Sequence, residues 1–479
     1  MANPSIQPTA NTPSAQVKVT DEALLARIGY RQELKREFRP LEMLAVCLNV
    51  MGIVPTIASV LFNSVPNGGP VAMVWGWVVV FPFILCIALS IAELASANPT
   101  SGGLYYWTHA LSPPKCRNFM SWVTGYANTI GSSTGMTGID WAFSVQVMAG
   151  ASMATEGAFV ATQAQTFQWM AFWICFLPKF SRSFVDPGYD SSVHMSEEAS
   201  NAAMVVPWAT VISVISGFVL GLAVNISLAF CMGPSTITLV DSPLGQPMAQ
   251  IFSTSLGTRA GLALWSIVIV AQFSVGASFL LVMSRQVFAF ARDGALPFSR
   301  FIYSIGYGRG GALGLIGEGV PVIAVWTLVV LAALTGLLSF AGEQAIKAVF
   351  AMSMVAIYVA YIGPIAARVM AAWNEAACFR PGPFHMGYWG VPINLVALAF
   401  MVFTIVVFLF PASPGTAVAD MNYAVVVLSV MFALIVGWYY CPTYGGVHWF
   451  RGPQANVGTG FNVPREKGDC DDQRLEFQL

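Results

Sequence analysis

Eight long stretches of this chain contain no Asp, Glu, Lys or Arg: Met43–Ala92, Asn118–Ile139, Ala199–Val240, Ala260–Ser284, Gly319–Gly342, Ala348–Ala367, Met386–Ala419 and Met421–Phe450. About 20 apolar residues let a helix cross the hydrocarbon core of a bilayer, and a water-soluble fold has no reason to exclude charge over such lengths. The charge is displaced to the ends, with ten charged residues within 1–40 and nine within 451–479. Only 9% of the chain is charged, against about 25% in a soluble domain. The apolar runs are continuous, which fits helices and not the alternating strands of a barrel. The chain reads as an all-α polytopic membrane protein.

Bounding the runs by charge, Pro and Gly predicts spans at Leu41–Phe62, Val71–Ala95, Phe119–Ile139, Met204–Met232, Leu262–Phe290, Val320–Ser339, Ala345–Ala366, Val391–Phe410 and Tyr423–Cys441. A tenth, Phe167–Phe180, is short and runs into Lys179, Arg182 and Asp186. Asp140–Thr166 reads as a loop. Six Lys/Arg precede the first span, Lys115 and Arg117 follow the second, and Arg285, Arg292, Arg300, Arg309, Arg368 and Arg380 cluster in later alternate loops. The positive-inside rule then places both tails, 1–40 and 442–479, in the cytoplasm around a membrane domain at 41–441. That phase requires an odd number of crossings between Asp140 and Met204; one crossing makes ten spans.

The first span carries Asn49-Val50-Met51-Gly52-Ile53-Val54-Pro55 at its centre. Gly52 and Pro55 both weaken a helix. The segment is either a proline kink packed by neighbours or a broken helix whose freed N–H groups receive a carboxylate. A second interruption candidate contains Gly188, Tyr189, Asp190 and His194, where Asp190 could meet an ammonium; the alternative is a loop entering a helix capped by Ser196. Glu93 ends a long apolar run, as an interfacial carboxylate or as a proton relay. Gly131-x-x-x-Gly135 and Gly217-x-x-x-Gly221 read as helix-packing motifs. Trp75, Trp77, Trp107 and Trp122 lie near span ends, where an aromatic belt is the default.

Eight cysteines without C-x-x-C spacing and four isolated histidines offer no metal site. No cofactor is expected, and no nucleotide-binding motif is present. The chain does not read as an enzyme, and a net charge of −1 gives no reason to expect a nucleic-acid partner. Transport, if that is its role, is secondary or driven by another chain.

Six stretches in order carry a resemblance: 28–38, IGYRQELKREF; 92–105, AELASANPTSGGLY; 188–201, GYDSSVHMSEEASN; 284–297, SRQVFAFARDGALP; 363–368, GPIAAR; and 444–450, YGGVHWF. Over about residues 24–150 and 188–453 the chain resembles the fungal amino acid/GABA/choline permeases of the amino acid–polyamine–organocation superfamily. The resemblance implies an inverted-repeat helical bundle (APC/LeuT-like) with substrate held between broken helices one and six. Helix one then supplies Asn49, Met51, Gly52 and Ile53, and the helix-six break supplies Gly188, Tyr189 and Asp190. Further contributors are sought near Tyr126, Asn128 and Gln272. The implied cargo is an amino acid or small amine coupled to a proton, with Glu93 or Asp190 as coupling candidates, in a plasma or vacuolar membrane. The chain departs from the family pattern between about Gly150 and Pro187, where the fourth and fifth spans and part of the sixth are missing. A transport-incompetent sensor or assembly partner is the alternative to a carrier.

Overall fold

The structure is a computed structural model that describes residues 24–26, 29–30, 38–184, 193–233, 239, 242, 244–303, 321–373, 379–410 and 423–454. Among these residues there is no β-strand, only an isolated parallel bridge between Phe38 and Ala199. Among the described residues, ten helical rods of different lengths overlap the stretches where the sequence predicts spans. The first is two helices, α1 (Pro40–Met51) and α2 (Ile53–Ser64). It is followed by α3 (Gly69–Ala97), the short α4 (Gly103–Leu111), α5 (Arg117–Ala154), α6 (Gln163–Phe184), α7 (Ala202–Cys231) and α8 (Pro247–Arg292). A one-turn α9 (Ser299–Ile302) leads to α10 (Val322–Gly336), α11 (Glu343–Trp373), α12 (Gly390–Leu409), α13 (Ala424–Tyr439) and one-turn α14 (Gly446–Trp449).

Six helices among the described residues are long and apolar enough to cross a membrane, and two more are apolar but shorter. Helix α5 is not one of them, and its surroundings explain why. It packs against α4, α6, α8, α10 and α11, and 24 of its 38 residues are buried, many of them Ser, Thr, Gly and Asn. A helix surrounded by protein has no need of a lipid-like surface. The sequence expectation of a span ending at Ile139, with a loop from Asp140, is corrected here. The charge of Asp140 marks no boundary, and the helix continues to Ala154. Likewise α8 begins well before the expected Leu262, with non-helical backbone at Gly257 (φ 77°, ψ 165°).

Two groups of helices meet across α8. On one side α3 lies along α7, with α1 and α2 packed on α7; on the other, α5 is the hub for α10 and α11. Helix α8 touches both groups. Trp107 and Trp122 are fully buried and not at a lipid interface, whereas Trp75 is 62% exposed. The expected packing glycines do serve contact: Gly131 faces Ile357 of α11, Gly135 faces Ser353, and Gly217 faces Met51. Ser196 caps no helix; it lies in turns at 193–198, and α7 starts after Asn201 in the left-handed region (φ 53°). The two described chain ends reach one face of the bundle, because Tyr30 and Gln454 both bond Asp293 just past α8.

The α3–α7 contact is tightest at Gly221, where the Trp77 indole occupies the space a Cβ would need, and Trp77 Nε1 donates to the Phe218 carbonyl at 3.1 Å. Gly221→Val is therefore expected to lower stability by about 1–3 kcal/mol through overpacking. Leu220→Val on the neighbouring exposed face should be near neutral. Thermal unfolding of both variants in detergent checks the contrast.

Candidate functional site at the first-span break

Gly52 is the break. Its φ of 48° and ψ of 55° put it in the left-handed region, where a side chain is strained. A Cβ there would also collide with Val275 of α8. The Gly52 N–H closes α1 on the Leu48 and Asn49 carbonyls (3.2 and 3.0 Å), and its own carbonyl accepts the Thr56 N–H at 2.8 Å. The Thr56 hydroxyl caps the Met51 carbonyl at 3.0 Å. Pro55 falls in the first turn of α2, where its missing N–H removes nothing. Of the two sequence readings, the interruption is thus a broken helix at Gly52 and not a kink at Pro55. The Ile53 and Val54 N–H groups open α2, and a helix start leaves such donors without intrahelical acceptors and carries the positive dipole end.

Helices α5 and α8 brace this break with polar side chains. Asn49 Nδ2 donates to Ser278 Oγ at 2.6 Å and to the Ser274 carbonyl at 3.3 Å. Gln146 Nε2 donates to the Pro55 carbonyl (3.3 Å) and Ser59 Oγ (3.1 Å), and Trp265 Nε1 fixes the Gln146 carbonyl at 2.9 Å. Gln272 Nε2 donates to the Ile139 carbonyl at 3.2 Å, tying α8 to α5. Beside it, Asp140 is 1% exposed. Met51 turns the other way and lines an apolar cavity of about 390 Å³ with Trp77, Phe81, Gly217 and Phe218.

The structure therefore gathers Asn49, Met51, Gly52, Ile53 and Gln272 around one region. Tyr126 is not with them. It lies 14 residues before Asp140 on α5, about 21 Å along the axis, with its hydroxyl donated to the Ala295 carbonyl at 2.9 Å and its ring on Trp122 and Phe290. Asn128, two residues on, is buried on the same distant stretch. Gly188, Tyr189 and Asp190 lie outside the described residues. Glu93 is buried at the end of α3, 3.7 Å from Arg368 of α11, whose guanidinium also stacks on Phe379. That pair lines a cavity of about 310 Å³ with His385 and Gly387.

A buried ionic cluster seals the face that carries both chain ends. Glu197 receives Arg292 (3.2 Å), the Ser101 N–H (3.0 Å) and the Thr100 hydroxyl (3.2 Å), and Glu198 receives Arg285 at 3.1 Å. Burial alone would raise Glu197, but Arg292 and these donors hold it below the usual carboxylate value. His194, bonded to the Ser101 carbonyl at 3.1 Å, is pushed down to about 4 by burial. Asp293 accepts Tyr105 (2.7 Å), Tyr30 (3.0 Å) and the Gln454 N–H (3.2 Å), and burial still pushes it up to about 6 despite Arg292. The Phe38 N–H bonds the Glu198 carbonyl at 3.2 Å, so the N-terminal strap lies across the same cluster.

The sequence profile of the family described as "Amino acid permease" matches residues 41–178 and 147–432. The chain belongs to the amino acid permease family. The family match comes in two pieces overlapping at 147–178, which covers most of the stretch from about Gly150 to Pro187 where the sequence reading expects a departure from the family pattern. An uncharacterized amino-acid permease of Schizosaccharomyces pombe is 30% identical, covering 91% of this chain and 88% of the relative. The GABA-specific permease of Saccharomyces cerevisiae is 29% identical (92% and 87%), and amino-acid permease 2 of Neurospora crassa is 28% identical (93% and 91%). The first of these alignments runs over 503 positions, more than the 479 residues of this chain. The S. pombe permease therefore has residues without counterparts here.

Sequence reasoning missed Asp140 and Gln146 of this permease. Asp140 opens what reads as a loop and Gln146 lies within it, and the signal was available: Trp141–Met153 continues the small-residue periodicity of α5 with no Pro. For Asp293, the folded value near 6 exceeds the ordinary 3.8. The unfolded chain then releases this proton first, so stability falls as pH rises between about 4 and 6. Asp293→Asn should remove that slope. Melting temperatures of the two proteins measured from pH 4 to 7 are expected to diverge in favour of the variant as pH rises.

Proposed function

We propose that this permease carries a small amino acid, or a related amine such as GABA, across its membrane by alternating access. The observation that carries the reading is the broken first span: a buried left-handed glycine whose following helix start has donors without intrahelical acceptors, braced by α8. Such donors suit a carboxylate. In this reading the substrate carboxylate meets the N–H groups after Gly52, flanked by Asn49, Met51 and Ile53, with Gln272 holding α8 in register. Its amine faces the Gly188–Asp190 segment, with Tyr189 as an aromatic wall. A relative named as a GABA-specific permease supports GABA as a substrate to test first. Proton coupling and a plasma-membrane location belong to the proposal, as do cytoplasmic tails, an orientation that the Lys/Arg-rich alternate loops support. Glu93 is the weaker coupling candidate because Arg368 already faces it.

One observation favours a second reading. Among the described residues a single helix, α6, stands between α5 and the turns at 193, and a protein lacking spans could bind its ligand without moving it. Uptake of radiolabelled GABA and mixed amino acids by cells expressing the protein decides. Flux above background supports the carrier; correctly inserted protein with no flux but ligand-induced thermal stabilisation supports the sensor.

Gly52→Ala should cost about 1–3 kcal/mol from backbone strain and clash with Val275. It is expected to abolish uptake while the protein still inserts; wild-type uptake by this variant would remove the break from the mechanism.

A further inference from the structure

Five acidic side chains are buried among the described residues: Glu93, Asp140, Glu197, Glu198 and Asp293. Four have donors or cations against them: Arg368 for Glu93, Arg292 for Glu197, Arg285 for Glu198, and two tyrosines with the Gln454 N–H for Asp293. Asp140 has none; neither of its carboxyl oxygens finds a hydrogen-bond partner. It is 1% exposed and stands about 21 Å along α5 from the nearer helix end. An ionised carboxylate so placed is strongly unfavourable unless a positive charge accompanies it.

Among the described residues, the surroundings place no such charge against it. Of the helices packed on α5, α10 and α13 carry no Asp, Glu, Lys or Arg. Helix α8 carries Arg259, Arg285 and Arg292, of which the nearest, Arg285, is nine residues past Gly276 and engaged with Glu198. Lys347 of α11 is exposed, Arg368 faces Glu93, and α4 contributes only His109, bonded to Asn118. The side chains of Lys179 and Arg182 on α6 lie outside the described residues, as does Glu343 of α11. What the carboxyl does face is a notch in α8: a Cβ on Gly276 would lie 3.9 Å from Asp140 Oδ1. One residue away in sequence, Val275 packs on Gly52, and one turn earlier Gln272 holds the Ile139 carbonyl.

We propose that Asp140 is the cation site of this permease: it takes up one positive charge, a proton or the ammonium of the substrate, during each transport cycle. The placement gives that charge a mechanical consequence. The α8 segment 272–278 touches Asp140 on one face and the Asn49–Gly52 break on the adjoining face, so neutralising the carboxyl changes the contact that braces the break. The proposal rests on the carrier reading, and its test separates the two.

Wild type and Asp140→Asn are compared in proteoliposomes for accumulation of labelled substrate under an inward proton gradient and for counterflow at equal pH. The isosteric variant removes an unpartnered charge, so it is expected to fold and to melt no lower than wild type. Its accumulation should fall about tenfold or more. Retained counterflow assigns the charge to a proton, whereas loss of counterflow together with substrate-induced stabilisation assigns it to the ammonium. Wild-type accumulation with unchanged pH dependence in the variant overturns the proposal. If the wild type itself moves nothing, dicyclohexylcarbodiimide, which modifies neutral carboxyls in apolar surroundings, still decides. Mass-spectrometric labelling at Asp140, relieved by raised pH or by amine substrate, supports the site, and no label there overturns it.

Discussion

A backbone that leaves the α-helix inside an apolar bundle must have its freed groups received by protein or by ligand, and Gly52 is where this chain meets that demand. The left-handed turn is open only to a residue without a Cβ, and Val275 fills the space that a Cβ would have taken. The carbonyl side of the break is closed by the Thr56 hydroxyl on Met51, and Gln146 holds the Pro55 carbonyl in the first turn of α2. On the donor side the first N–H groups of α2 remain directed away from their own helix. Everything distinctive about the α1–α2 region, including the polar brace from Asn49 to Ser278 and the tie from Gln272 to α5, follows from holding that interruption in one geometry.

A second constraint acts at the end of the bundle. Glu197, Glu198, Arg285, Arg292 and Asp293 are removed from water together, and a buried charge is tolerable only when its partners are in place. The partners come from separate parts of the chain: the N-terminal strap through Tyr30 and Phe38, the α3–α4 link through Thr100 and Ser101, and the C-terminal segment through Gln454. Separating any one leaves uncompensated charge in the cluster, so the segments are coupled. The pairs also explain why Ser196 does not begin a helix. The acids after it are spent on arginines of α8 and not on the dipole of α7.

Much of the fold was legible. Among the described residues each uncharged run is mostly helix, and the small-residue motifs became close helix contacts, because lipid exclusion and backbone approach are local properties of composition and spacing. Two kinds of error remained. Charge was read as a boundary at Asp140, although a helix surrounded by other helices admits polar residues at any depth. Tyr126 was set beside the break by resemblance, but the axial rise of α5 carries it to the other end of the bundle, where its hydroxyl has a carbonyl of its own. For the site, the glycine and proline of the first span marked where the helix weakens, yet both residues offered an explanation and only the backbone dihedrals distinguish them.

The amino-acid sequence alone determined that the chain lives in a bilayer as a bundle of helices and which family it belongs to, since these depend on runs of residues and their order. Tertiary structure alone decided which polar groups meet. Gly52 against Val275, Glu197 against Arg292 and Asp140 against the gap at Gly276 join residues tens to hundreds of positions apart. No local pattern encodes such pairings; they are set by which helix faces turn toward one another once the apolar surfaces are satisfied.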